Sequence, residues 1–226
     1  MSTSNKKHEF ATSTDGRAVI VRHSASGRFN HWVTGMAFIV ASFSGLAFFH
    51  PNLSWLYEIF GSGTWTRILH PIFGLLMVIN FFGLAYKYGK HNIINKNDIQ
   101  WMKQIKDVIT AENEKLPPIG MYNGGQKVLF WVLTFLCIGL TITGVLIWRE
   151  YFTFSADVKA VAVLLHAILA FTMIGFITIH VLAAILAKGS IGAMLHGKVT
   201  YAWAKHHHSQ WYRDIVAAEN ALAVKK

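Results

Sequence analysis

The chain has 226 residues, 53% of them hydrophobic and 14% charged, with a formal net charge of +10. Soluble domains carry about 25% charged residues, so the composition points away from a soluble globule and toward the bilayer. A charge of +10 would also suit a nucleic-acid partner, but the placement of the basic residues along the chain argues against one.

Residues 1–27 are rich in Ser, Thr and Lys and read as a tail that is flexible at least at its start. They hold no apolar core of the kind a cleavable signal peptide needs. The first charge-free run is Phe29–Tyr57, with a span from about Phe29 to Phe49. His50-Pro51-Asn52 reads as a turn. Leu53–Phe60, with Trp55, Tyr57 and Glu58, suits a short interfacial segment that Gly61-Ser62-Gly63 breaks. The second run is Ile68–Tyr86. The segment Lys87–Lys127 is too long for a bare connection. Ile99, Met102, Ile105 and Ile109 recur there at helical spacing and predict one short amphipathic helix, lying on the membrane surface or against a partner. Pro117-Pro118 ends that region. The third run, Val128–Trp148, contains the single cysteine, Cys137, which reads as a small buried hydrophobe. A tight connection over Trp148–Asp157 leads to the fourth run, Ala160–Ala187. The tail, Lys188–Lys226, predicts a last helix near Trp211–Val224, and His206-His207-His208 has the composition of a metal-binding tract but reads better as part of a solvated basic tail.

Each charge-free run is about 18 residues or longer, enough to cross a bilayer as a helix. The expected fold is an all-α membrane protein, a four-transmembrane-helix bundle spanning 29–188 between polar tails at 1–28 and 189–226. Lys and Arg number five before the first span, seven in the loop 87–127 and six in the tail, against three in the other two connections. This positive-inside asymmetry puts both termini and the long loop in the cytoplasm. Topology and contact with anionic lipid thus account for the basic excess, and no nucleic-acid partner is expected.

Four histidines lie inside spans. His166 and His180 are 14 residues apart in the fourth, which puts them on one helix face about 21 Å apart along the axis. Helix direction then assigns depth. His31 lies near the inner end of the first span and His70 near the outer end of the second. Depth pairs His31 with His180 and His70 with His166. Two neutral imidazoles facing each other across a helix bundle are the axial arrangement of an electron-transfer haem. Four residues after each histidine stands a small residue (Gly35, Gly74, Ala170 and Ala184), where a porphyrin needs room. Arg28 and Arg67 each precede a histidine by three residues, placed either to meet haem propionates or to flank a span at the interface. The spans hold no Asp or Glu, which argues against a proton relay or hard-cation path. A histidine-lined metal transporter is the alternative of a different class.

The stretches Asn30-His31-Trp32, Gly45-Leu46-Ala47-Phe48-Phe49, Arg67-Ile68-Leu69-His70-Pro71, Tyr122-Asn123-Gly124-Gly125-Gln126-Lys127, Leu165-His166-Ala167, Ile179-His180, Lys188-Gly189-Ser190-Ile191, Gly197-Lys198-Val199 and Trp211-Tyr212-Arg213 resemble the cytochrome b (gamma) subunit of respiratory formate dehydrogenase. The resemblance covers nearly the whole chain beyond the first two dozen residues. It implies two haem b groups, the inner on His31 and His180 and the outer on His70 and His166. It also implies a quinone (menaquinone or ubiquinone) bound by Asn123, Gly125 and Gln126 beside the inner haem, with His180 contributing. An iron–sulfur beta subunit on the outer face, fed by a molybdenum- or tungsten-containing alpha subunit, would deliver the electrons at a bacterial inner membrane. Gly124 departs from the family, where alanine is more usual. Without the resemblance, Tyr122–Lys127 would read as a glycine-rich turn with an N-cap Asn. An anchor for a hydrogenase or another molybdoenzyme is the alternative within electron transfer.

Overall fold

The computed structural model describes residues 10–12, 18–110, 115–148 and 151–223. The chain divides into two compact units, one of residues 29–89 and 129–183, the other of residues 1–28, 90–128 and 184–226.

Four helices are long and apolar enough to cross a membrane: α1 (Ala25–Phe49), α3 (Gly63–Tyr88), α6 (Gly124–Ile147) and α7 (Ala156–Leu186). They start a few residues before the charge-free runs because their polar first turns are helical too. Ser24 accepts from the amide of Gly27 at 3.2 Å, and Ser62 caps α3 by accepting from Trp65 at 3.2 Å, so both helices gain a side-chain N-cap. Between α1 and α3 lie a 3₁₀ turn (Pro51–Leu53) and a single turn of helix, α2 (Leu56–Ile59). They fall where the turn and the interfacial segment are expected. Gly61 ends that segment with φ +87°, a conformation glycine adopts without penalty.

The core of the first unit takes side chains from all four spans: Ala37, Met77, Leu136, Cys137 and Met173, packed round by Phe38, Phe73, Phe81 and Phe176. Cys137 sits there as the expected buried hydrophobe. Only between 11% and 17% of the most apolar stretch of each span is buried. Large apolar side chains such as Ile79, Phe135 and Leu182 point outward. Helices apolar all round with so thin a core are suited to lipid, not water.

The second unit corrects three expectations. First, residues 18–23 are not a loose tail. Ala18–Val21 forms β2, antiparallel to β1 (Phe10–Thr12) on one side and β3 (Lys198–Thr200) on the other, with Ile20 opposite both Phe10 and Val199. Ile20 and Val199 enter a core with Ala193, Ala204 and Ile215, supplied by α8 (Ser190–His196), α9 (Tyr201–His207) and α10 (Ser209–Ala223). Residues 1–9 and 13–17 of the expected tail lie outside the described residues, as do Arg149 and Glu150 of the connection before α7. Second, the loop helix is two helices, α4 (Lys96–Lys103) and α5 (Ile105–Ile109), parted at Gln104. A reciprocal cap between Asn95 and Asp98 starts α4. The stripe Ile99, Ile105 and Ile109 is the exposed face, and Trp101 and Asp98 are the buried side chains.

Third, His208 is buried rather than solvated. Its Nδ1 donates to the Gly120 carbonyl at 2.8 Å. Its Nε2 faces Arg22 Nη2 at 3.0 Å, and that same Nη2 donates to the Met121 carbonyl at 2.9 Å. The amides of Gln210 and Trp211 both donate to the Ile119 carbonyl, at 2.9 and 3.3 Å. Three consecutive carbonyls before Tyr122 are therefore held by the two ends of the chain. The Arg22 guanidinium lies 4.9 Å from the Trp203 ring and 5.2 Å from the Trp211 ring. Burial pushes its pKa down to about 10, leaving it protonated at neutral pH.

Burial, with the Arg22 cation as a second cause, pushes the His208 pKa down to about 3. The unfolded chain would take up this proton near the ordinary value of 6.5. Between the two values the unfolded state binds more protons, so stability is full above the upper one and falls as the pH drops toward the lower. Amides of residues 198–212 are predicted to lose hydrogen-exchange protection, corrected for intrinsic rates, when the pH is lowered from about 7 to about 5. Equal protection at both values would contradict this.

Candidate functional site

The structure brings the four membrane histidines together in two pairs. His31 on α1 faces His180 on α7 with ring centroids 6.2 Å apart and planes at 56°. His70 on α3 faces His166 on α7, also at 6.2 Å, with planes at 72°. A metal–imidazole bond is about 2 Å long and a ring nitrogen lies about 1 Å from its centroid, so two imidazoles sharing one ion stand about 6–6.5 Å apart. Direct hydrogen bonding between the rings would bring them closer. Both pairs therefore have the spacing of two axial ligands with an ion between them.

The surroundings of His70 and His166 are alike. Ser44 on α1 is fully buried; its hydroxyl donates to the Val40 carbonyl at 2.7 Å and faces His70 Nδ1 at 3.0 Å. Thr143 on α6 donates to the Gly139 carbonyl at 2.7 Å and faces His166 Nδ1 at 2.8 Å. A hydroxyl has one proton. With that proton given to the helix, its oxygen accepts from the imidazole, so Nδ1 carries the hydrogen and Nε2 keeps its lone pair. The Ala41 carbonyl, 3.1 Å from His70 Nδ1, enforces the same tautomer. Each hydroxyl residue is followed by a glycine against which the imidazole lies: a Cβ on Gly45 would be 3.0 Å from His70 Cε1, and one on Gly144 3.6 Å from His166 Cε1. Pattern reading alone missed Ser44-Gly45 and Thr143-Gly144. The signal was present as a hydroxyl–glycine dipeptide at histidine depth in each facing span.

The His31–His180 pair is built differently. Nδ1 of His31 is buried with no hydrogen-bond partner among the described residues, and Trp32 meets its ring edge-on at 5.6 Å. Beside both pairs there is room, since Cβ atoms on Gly35 and Gly74 would meet nothing within 4 Å. Among the described residues no three His, Cys, Asp or Glu side chains gather as a chelating cluster. Paired imidazoles at this spacing, open space alongside and two ligands per site fit a haem, whose four equatorial donors come from its own macrocycle. Of the two arginines, Arg28 donates to the His23 carbonyl at 3.0 Å and Arg67 is exposed.

Residues 22–197 match the family model described as prokaryotic cytochrome b561. The chain belongs to that family. The formate dehydrogenase cytochrome b556(fdo) subunit of Escherichia coli K12 is 43% identical over 201 residues, covering 88% of this chain and 94% of that protein. The formate dehydrogenase cytochrome b556 subunit of Haemophilus influenzae is 41% identical over 202 residues, covering 88% of this chain and 85% of its own. The nitrate-inducible formate dehydrogenase cytochrome b556(Fdn) subunit of E. coli K12 is 39% identical over 203 residues, covering 89% and 94%. The chain is thus a multi-pass membrane cytochrome b, and haem b is the group that its family implies.

In the other unit, Asn123 and Gln126 cap the N-terminus of α6 reciprocally. The Asn123 amide donates to Gln126 Oε1 at 3.0 Å and the Gln126 amide to Asn123 Oδ1 at 2.9 Å. Both carboxamide oxygens are used, and the two amide NH₂ groups are the donors left for a ligand. Below them, Lys127 Nζ reaches Asp98 Oδ2 at 2.7 Å and the Ile93 carbonyl at 3.1 Å, with both charged side chains buried. Trp101 lies over the two glycines, and a Cβ on Gly124 would stand 2.7 Å from the Asp98 carbonyl. An alanine at position 124 has no room while α4 holds its position. Gly124→Ala is accordingly predicted to destabilise the α4–α6 contact by about 1–3 kcal/mol, read as faster hydrogen exchange over 96–103. Exchange as slow as in the parent would contradict that packing.

Proposed function

We propose that this cytochrome b is the di-haem membrane subunit of a formate dehydrogenase and passes electrons from the outer face of a bacterial inner membrane to quinone at the cytoplasmic side. The observation that supports it most directly is the pair of imidazole couples with equal 6.2 Å spacing in a chain similar to formate dehydrogenase cytochrome subunits. Haem b bound at such couples supplies reversible one-electron chemistry at its iron.

His70 and His166 hold the outer haem and His31 and His180 the inner one, with both termini and the loop 87–127 cytoplasmic by the distribution of Lys and Arg. The partners are an iron–sulfur subunit on the outer face and a molybdenum- or tungsten-containing catalytic subunit behind it. α7 carries one histidine of each pair, so a single helix fixes both sites along one face.

Quinone takes two electrons and two protons to become quinol. Asn123 Nδ2, Gln126 Nε2 and the Gly125 main chain donate to its carbonyl oxygens at the helix terminus, while the missing Cβ of Gly125 seats the Trp101 indole. Protons come from the cytoplasm while electrons come from outside, so charge crosses the membrane without a proton channel. Spans free of Asp and Glu fit that division.

In the complex with its partner subunits, His70→Ala is predicted to lose one haem and abolish formate-dependent reduction of the other. His31→Ala loses the inner haem, keeps formate-dependent reduction of the outer one and stops quinone reduction. A His31 variant reducing quinone at the parental rate would overturn the order of the sites. Asn123→Ala is predicted to raise the KM for a quinone analogue about tenfold or more, as expected for a lost hydrogen bond to a bound carbonyl, while the haem spectrum stays unchanged. An unaltered KM would remove the motif from the quinone site.

A further inference from the structure

The two imidazole pairs differ in what holds the far nitrogen. Thr143 and Ser44 accept the Nδ1 hydrogens of His166 and His70, at 2.8 and 3.0 Å. Among the described residues, His31 Nδ1 is buried with no acceptor and His180 has no hydrogen-bond partner. An acceptor on Nδ1–H makes the imidazole a more basic ligand. A more basic ligand stabilises the oxidised, more positive iron and lowers the reduction potential.

From these contacts we infer that Ser44 and Thr143 set the order of the two potentials, holding the outer haem below the inner one so that electrons fall inward toward quinone. The inference rests on the two-haem reading above. It makes Ser44 and Thr143 positioning residues that act through their histidines without touching the haem iron. Each hydroxyl can play this part because its own proton is committed to a carbonyl one turn back, Val40 for Ser44 and Gly139 for Thr143. It can then only accept from the ring. With haem held by both couples, one electron would pass from the outer to the inner, oxidising the first and reducing the second with no proton moved. The Nδ1 hydrogens stay in place in both oxidation states.

Thr143 is the sharper test, because His70 keeps the Ala41 carbonyl at 3.1 Å when Ser44 is changed. The experiment is a spectroelectrochemical titration of the purified full chain with both haems counted. The His31→Ala protein, which keeps the outer pair alone, assigns the outer potential. The parent should show two potentials with the outer lower. Thr143→Val, nearly equal in volume, should shift the outer potential upward and leave the inner in place, narrowing the gap. Thr143→Ser, which keeps the hydroxyl, should restore the parental value. If Thr143→Val does not assemble, Ser44→Ala reads the same quantity with a smaller upward shift. The inference is overturned if the outer pair titrates above the inner. It is equally overturned if both haems are present and the variant's outer potential is unmoved or lowered. A parent chain holding fewer than two haems overturns the two-haem reading and this inference together.

Discussion

A neutral imidazole in hydrocarbon has one donor and one acceptor nitrogen and no water to satisfy either. Such rings in one small bundle are a standing cost unless both nitrogens are used, a cost that His31, whose Nδ1 is buried without a partner among the described residues, still carries. At His70 and His166 the donor is satisfied by a hydroxyl on a neighbouring helix, and the acceptor nitrogen is left free of it. The same contact that settles the polar group in lipid selects the tautomer that the proposed haem ligation needs. The bundle geometry follows from that requirement, since α1, α3 and α6 must each approach α7 closely enough to place a histidine or a hydroxyl at the right depth.

Apolar packing alone holds this bundle weakly. Its core is a handful of side chains around Met77, Cys137 and Met173, and most large apolar groups face outward, where lipid is as good a solvent as protein. On the proposed ligation, ties through haem between α1 and α7 and between α3 and α7 would matter to the fold as well as to electron transfer. The other unit has a different source of order. A three-stranded sheet, a tryptophan-flanked Arg22 and a buried His208 hold the main chain just before the Asn123–Gln126 cap.

The spans and the histidine pairs were legible because their signals are local. Charge-free length identifies a membrane helix, and a spacing of 14 residues on α7 sets two depths at once. The hydroxyls of Ser44 and Thr143 were not, because serine and threonine are common in membrane helices and their role depends on which neighbour they face. The β-sheet was equally hidden. Ile20 pairs with Val199, far away in sequence, and a four-residue strand beside a basic tail has no periodicity of its own. In the loop, the Ile99, Ile105 and Ile109 stripe faces outward, as a helix laid on a membrane or partner requires, but the break at Gln104 and the burial of Trp101 had no signal in the spacing. Trp101 took the interior because two glycines at the start of α6 leave a flat surface that fits an indole.

Haem stoichiometry and ligation in the purified, untagged chain test the central claim most directly. Two haem b per polypeptide, both low-spin in the oxidised electron paramagnetic resonance spectrum as two-imidazole iron should be, is the result that paired histidines require. A colourless protein, a single haem, or a high-spin signal from iron lacking one imidazole would contradict it.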